Sequence, residues 1–263
     1  MREPDISCVI PAFNDRVHLP RAVRSALSQE GVQVEVLIVD DCSDSATREF
    51  IENLAAADPR IRPFLLSRNG GQSEARNIGA ALARGRFIAF LDQDDEHEPG
   101  WYRTALHLLR ERPALAAISG RARVVDIPAR LGVAEDDLRL ENLTNVFATN
   151  IVFRTSVFRA SGGFPTGGVW RTPAAGEDSA YRHGIAHNWA ATECAHPALI
   201  HHAREHGATV HYLERSEVRN GEVVITRMDD IEASGQLQAA FRQFTERFAA
   251  ISQELRACSA AVW

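Results

Sequence analysis

"FIAFLDQDDEHEP", residues 87–99, decides how the rest of the chain is read. Five apolar residues run directly into Asp92, Asp94, Asp95, Glu96 and Glu98. The apolar run has the length of a short buried strand, and the acids begin where it ends. Like charges at this density repel, so each carboxylate must stay solvated or meet a partner. A helix start accounts for the last of them, because acids favour the N-terminal dipole and Pro99 suits a first turn. It does not account for Asp92 and Asp94, which precede that turn. A divalent cation would: Mg2+ typically takes one or two carboxylates together with substrate phosphates.

Upstream, the same kind of apolar run recurs as "ISCVI" (6–10), "VEVLIV" (34–39) and "IRPFLL" (61–66). Nearly continuous apolar strands suit a parallel sheet buried on both faces. Between them lie "LPRAVRSALSQ", "ATREFIENLAA" and "SEARNIGAALA", whose apolar residues recur at three- and four-residue steps, as in amphipathic helices. Strand–helix alternation predicts βαβ units in an open α/β sheet, with ligands beyond the carboxyl ends of the strands. One rim then carries "PAFND", "DDCSD", "SRNGGQSEARN" and the acidic run. Asp40, Asp41, Asp92, Asp94 and Asp95 gather there, with Arg68 and Arg76 nearby. Capping of the next helix by Ser43 or Asp44 is the plainer reading of "DDCSD".

The second half is less regular. Residues 119–148 are polar and carry no clear period. "NIVFRTSVFRASGGFP" (150–165) predicts a strand, a short helix and a Gly-Gly turn. "AAGEDSAYRHGIAHNW" (174–189) predicts a loop opening a helix at Glu177–Asp178. A long helix is expected over 232–257, with Leu237, Phe241, Phe244, Phe248, Ile251 and Leu255 in one stripe. Such a stripe is core or, alternatively, the seam of a homodimer.

The net charge of −6 and pI of about 5.9 argue against a nucleic-acid or anionic-membrane binder. All 29 basic residues are arginine, which excludes any mechanism that needs a lysine. Cys8, Cys42, Cys194 and Cys258 are scattered without zinc-ligand spacing and suit a reducing cytoplasm. "MREPD" leads straight into a strand pattern, so no targeting segment is expected, and no run approaches the ~18 apolar residues of a membrane span.

The ordered set "VIPAFND", "VLIVDDCSD", "NGGQSEARNIGA", "FIAFLDQDD", "SGGFP" and "GED" resembles the family-2 inverting glycosyltransferases of GT-A fold, over residues 5–210. The resemblance implies a Rossmann-like, mostly parallel central sheet flanked by helices. It implies a transferase domain over 1–210, with a nucleotide-binding half (1–98) and an acceptor-binding half (99–210), then a C-terminal helical extension over 211–263. It also implies a nucleotide-sugar donor, UDP-linked by preference, an acceptor hydroxyl, and Mn2+ or Mg2+. By this likeness Pro11, Phe13 and Asn14 hold the base, and Asp41, with Asp40 adjacent, bonds its edge. Gln72 and Arg76 pass near ribose and phosphates. Asp92 faces the ribose and sugar, and Asp94 binds the metal on the diphosphate. Asp178 is the general base beside Glu177, and the segment 119–148 and the loop 165–176 are expected to shape the acceptor site, with Trp170 either stacking on a sugar face or anchoring the loop. "AREHGAT" is similar to a late arginine-x-histidine segment, making Arg204 a phosphate ligand and His206 a metal or diphosphate ligand.

The chain departs from the family pattern after "GED". The arginine there comes early, at Arg182, and Asn188 takes the place of a helix-ending glycine, in the left-handed conformation that Asn tolerates. The Q-x-x-R-W motif of processive synthases is absent, so a single sugar transfer is expected. Two other readings stay open. One is a non-catalytic nucleotide-sugar or carbohydrate binder on the same scaffold. The other is a metal-dependent phosphatase or nucleotidyltransferase, against which the lack of lysine and of a phosphate loop speaks. His183 and His187, four apart on the expected helix, with His201 and His202 beyond, leave zinc conceivable.

Overall fold

The structure, a computed structural model, describes residues 3–171, 176–226 and 231–260. It opens with β1 (Ile6–Ala12), α1 (Leu19–Leu27), β2 (Val34–Asp40), α2 (Ser45–Ala57), β3 (Ile61–Leu65), α3 (Gln72–Leu82) and β4 (Phe87–Phe90). Then come β5 (Glu96–His97), α4 (Trp101–Glu111), β6 (Ala117–Val125), α5 (Leu138–Thr144), β7 (Ile151–Arg154) and α6 (Thr155–Ala160). The chain continues through α7 (Glu177–Asn188), β8 (Ala191–His202), α8 (Ala208–Glu214), β9 (Ser216–Arg219), β10 (Glu222–Ile225) and α9 (Ile231–Ala260).

Eight strands form one sheet in the order β3-β2-β1-β4-β7-β6-β8-β5. The pairings set β7 and β5 against the direction of the rest, so the sheet is mixed and mostly parallel, as expected. Its first half is buried on both faces because side chains alternate between two apolar layers. Ile6, Cys8 and Ile10 of β1 and Val36 and Ile38 of β2 join the layer beneath α1, α2 and α4. Val9, Leu37, Val39 and Phe90 face the opposite layer, with α3, α6, α7 and α9. Pro63, which cannot donate to a ladder, sits in β3 at the sheet edge.

α9 supplies the lid of that second layer. Phe248 is 1% exposed and meets Tyr181 and Trp189 edge-on, with ring centroids 5.6 and 4.9 Å away. Phe244 packs on Phe248, and Phe241 on His183. Gly184 in α7 makes the approach possible: a Cβ there would lie 2.9 Å from the Phe248 ring. Phe248 is therefore core of its own chain, with Phe244 partly buried against it. The side chains of Leu255 and Cys258 are not among those described.

Several elements departed from expectation. The unassigned 119–148 stretch contains most of β6, whose outer half is exposed and carries Arg121 and Arg123. β8 is interrupted by a register shift beside Pro197, which hid it. β9 and β10 join through Asn220-Gly221, both at positive φ (54° and 80°), the pattern of a two-residue hairpin turn. Asn188 stays within α7 instead of turning left-handed, and its amide donates to the Gly184 carbonyl at 3.0 Å. No helix among the described residues is long and apolar enough to cross a membrane.

Candidate active site

The carboxyl ends of β1, β2 and β4 open onto a cavity of about 1170 Å3. Pro11, near the end of β1, and Phe13, in the loop after it, form part of its wall with Asp41 and Gln72. Asp92, Gln93 and Asp94 enter from the end of β4, and Glu177 and Asp178 from the start of α7. Arg204 completes the polar side. The chain thus brings the acidic run and the Glu-Asp pair to one space from opposite halves of the sequence.

Arg76 explains how they stay together. Its side chain is 0% exposed, and its guanidinium forks between two walls. One nitrogen donates to Asp92 Oδ1 at 2.6 Å and the other to Asp178 Oδ1 at 2.5 Å, with Glu177 3.7 Å away. The Phe164 ring stacks near the guanidinium, 5.2 Å from its centroid. Arg76 is not among the residues that line the cavity, so it lies behind Asp92 and Asp178. Gln72 donates to Glu177, closing the same corner.

Burial raises the Asp178 carboxyl to about 7, with Glu177 and Asp92 adding to the rise against the pull of Arg76. Its Oδ1 is held by Arg76, whereas Oδ2 receives only a long 3.4 Å bond from the Ala148 N–H. That oxygen keeps lone pairs for another donor. Burial, Asp95 and Asp92 likewise raise Asp94, to about 6, against the pull of Arg204.

The remaining loops are braced by polar contacts. Asp41 accepts the N–H groups of Gly70 at 2.7 Å and Gly71 at 2.8 Å, so it fixes the glycine-rich turn as well as facing the cavity. Gln93 exchanges two bonds with the Phe13 backbone, at 2.8 and 3.2 Å, and ties the aspartate run to the first loop. Arg204 bridges Asp15 at 2.7 Å and Asp94 at 2.5 Å.

Four expected ligands lie elsewhere. Asp40 is fully buried and accepts from the Ser43 N–H and from Arg48, which is scaffold chemistry. Asn14 accepts from the Asp44 N–H, and Asp44 caps α2 through the Thr47 N–H. Arg76 is withdrawn as described, and His206 is exposed and does not line the cavity. Arg182 bonds the Phe147 carbonyl and Asn150, and Trp170 packs on Phe244 beside a separate, smaller cavity.

Of the four histidines that left zinc conceivable, His201 and His202 line the cavity, whereas His183 and His187 do not. His201 Nδ1 lies 2.8 Å from Asp95 Oδ2, and its Nε2 lies 2.8 Å from the Thr209 hydroxyl. Burial works against its imidazolium, but Asp95 outweighs it and holds the ring above the ordinary histidine value. The "HH" dipeptide closing a strand was the available signal. Among the described residues no three His, Cys, Asp or Glu side chains converge as a metal cage. The Asp92, Asp94 and His206 set therefore does not assemble. What remains is a crowded carboxylate pair, which fits a hard cation held largely by a diphosphate.

The sequence profile of glycosyl transferase family 2 matches residues 7–163, more than half of the chain. The succinoglycan biosynthesis protein ExoO of Rhizobium meliloti (strain 1021) is 50% identical over 96 residues, which is 36% of this chain and 27% of that protein. The chain spans between 27% and 47% of the lengths of the first curated relatives it matches. Among solved structures, S. aureus TarS 1–349 in complex with UDP-GlcNAc aligns with a TM-score of 0.62 at 20% identity, over 78% of this chain and 60% of that one. The mannosyltransferase PcManGT from Pyrobaculum calidifontis, in complex with GDP-Man and Mn2+, aligns at 0.60 and 16% identity, over 99% and 81%. These likenesses show the GT-A fold.

Proposed function

Because the chain belongs to glycosyl transferase family 2, we propose that it transfers a single sugar from a nucleotide-diphospho-sugar to an acceptor hydroxyl with inversion, Asp178 serving as general base. The observation that carries this is the meeting of Asp92 and Asp94 with Glu177 and Asp178 in one cavity, braced by a buried arginine.

Pro11 and Phe13 hold the nucleotide base, with Asp41 on its edge. UDP is preferred. TarS in complex with UDP-GlcNAc and PcManGT in complex with GDP-Man support a nucleotide sugar of either base. Arg204 meets the diphosphate by exchanging its contact with Asp94 for phosphate oxygens. Mn2+ or Mg2+ bound at Asp94, with Asp92 beside it, would neutralise the leaving diphosphate. PcManGT, in complex with Mn2+, supports such an ion. The raised Asp94 carboxyl marks excess negative charge that a cation would relieve.

On the far side, the acceptor hydroxyl donates to Asp178 Oδ2. Arg76 holds Oδ1 and so aims the free oxygen. As the hydroxyl oxygen attacks the anomeric carbon, its proton passes to Oδ2 and the carbon–phosphate oxygen bond breaks. One displacement inverts the centre. On this reading residues 1–98 supply most of the donor contacts, joined by Arg204, and 99–210 supply the base and the acceptor side.

The test is a screen of UDP- and GDP-sugars for release of nucleoside diphosphate with Mn2+, followed by NMR of the product's anomeric proton. Release with inversion is expected. Tight nucleotide binding without release from any donor would favour the binding-protein reading instead.

A further inference from the structure

Outside the cavity, α7 brings a second set of ligating atoms together. His183 and His187 are both exposed, and their rings stack with centroids 3.8 Å apart and planes inclined by 30°. Residues four apart share a helix face, so the helix itself sets this pair. His187 Nδ1 lies 2.9 Å from the His183 carbonyl oxygen. A carbonyl only accepts, so Nδ1 carries the proton and the neutral ring keeps its lone pair on Nε2. Metal-bound histidines are anchored through their other ring nitrogen in this way, a backbone carbonyl being one usual acceptor. Neither ring nitrogen of His183 has a hydrogen-bond partner among the described residues, and Phe241 of α9 backs that ring at 5.6 Å between centroids. Partial burial and the neighbouring His187 hold His183 below the ordinary histidine value, so at neutral pH it too is uncharged and able to ligate.

We propose that His183 and His187 form a two-histidine chelate for a borderline divalent cation, Zn2+, Cu2+ or Ni2+, with water completing the coordination. Imidazole suits these ions, whereas Mg2+ and Mn2+ prefer oxygen ligands. An ion bound at about 2.0–2.1 Å from two nitrogens sets them roughly 3 Å apart, and rings already stacked side by side need only a small turn to reach that spacing. The site does not depend on the transferase reading, nor on a hard cation at Asp94. Its ion would clip one turn of α7 to the next and stabilise the helix that Glu177 and Asp178 begin.

The experiment titrates Zn2+ into the full chain by calorimetry, with Mn2+ in excess to fill any carboxylate site. His183→Gln and His187→Gln are compared with wild type, and His206→Gln serves as a control. One Zn2+ per chain is expected, weakened about tenfold or more by either helix variant and unchanged by His206→Gln. Amide exchange across 183–188 should slow with Zn2+ in the wild type and not in His187→Gln. Electron paramagnetic resonance of wild type with one equivalent of Cu2+ adds a readout that needs no variant: hyperfine coupling from two nitrogens is expected. Coupling from one nitrogen or none overturns the proposal. So does Zn2+ affinity that neither helix variant changes, or that only His206→Gln lowers.

Discussion

Arg76 and Asp178 are 102 residues apart in the chain and 2.5 Å apart in space. The same guanidinium holds Asp92, so one buried cation carries the geometry between the strand-end aspartates and the helix-start acids. Removing it leaves Asp92, Glu177 and Asp178 facing one another without a counter-charge. Breaking a buried ion pair from one side typically costs about 3–5 kcal/mol. Arg76→Met should lower the urea midpoint accordingly, and Arg76→Lys should recover only part, because an ammonium cannot fork between two carboxylates. A wild-type midpoint for Arg76→Met would mean that something else holds the three acids.

Asp178→Asn should leave nucleotide affinity nearly intact while transfer falls by about 10²–10⁴-fold, the usual contribution of a positioned base. Glu177→Gln should be milder, since Glu177 accepts from Gln72 and orients the helix entry. Steady-state kinetics beside nucleotide titration separates the two. Full activity in Asp178→Asn would move the base to Glu177.

The pH profile follows from the raised Asp178 carboxyl. A base works when ionised, so kcat should rise with pH along a limb centred at about 7. Stability should run the other way. Between the ordinary 3.8 and about 7 the folded carboxyl keeps a proton that the unfolded one has lost. The native state binds more protons there, and its stability falls as pH rises through that window. Urea midpoints at pH 5 and 7.5 should therefore fall more in the wild type than in Asp178→Asn. Equal falls would assign the titration elsewhere.

Asp94→Asn should weaken UDP or GDP binding sharply with Mn2+ present and little in EDTA. Calorimetry in both buffers measures it. Equal affinities for the two proteins with metal present would remove Asp94 from the metal site.

Gly184→Ala should destabilise by about 1–3 kcal/mol through overpacking against Phe248, whose ring lies 2.9 Å from the new Cβ. Phe248→Ala alone should cost about 3–5 kcal/mol. In the double variant the new methyl enters the space left by the ring, so the two costs should not add. Thermal unfolding of the four proteins forms the cycle, and simple additivity would show that the contact carries no energy.

The four leading strands, their helices and the acidic run were legible because period and composition are local properties. Continuous apolar runs mean strands buried on both faces, and acids crowded beyond a strand end mean a charge to be balanced. The capping role of Asp44 was equally local. The hairpin at Asn220-Gly221 was legible too and was passed over; its dipeptide is a strong short-range signal. β6 and β8 were not, because half of one faces solvent and a register shift interrupts the other.

What a side chain at the rim does was not a local property. Asp40 and Asp41 are neighbours with the same chemistry, yet Asp40 ends β2 and is held in the scaffold by Arg48, whereas Asp41, just past the strand, holds the glycine-rich turn and lines the cavity. The family resemblance sets Arg76 near ribose and phosphates, and nothing in its own stretch of sequence shows its partners. Only the packing of α3 against Phe164 and α7 buries it and makes it the strut between two acids. His201 and Arg204 reach Asp95 and Asp94 across more than a hundred residues, through the pairing of β8 with β5. The sequence by itself determined the fold class and the chemistry of the rim, since hydrophobic period and charge density are written residue by residue. The tertiary structure decided which of those residues meet, because burial and partner choice depend on contacts that no single stretch contains.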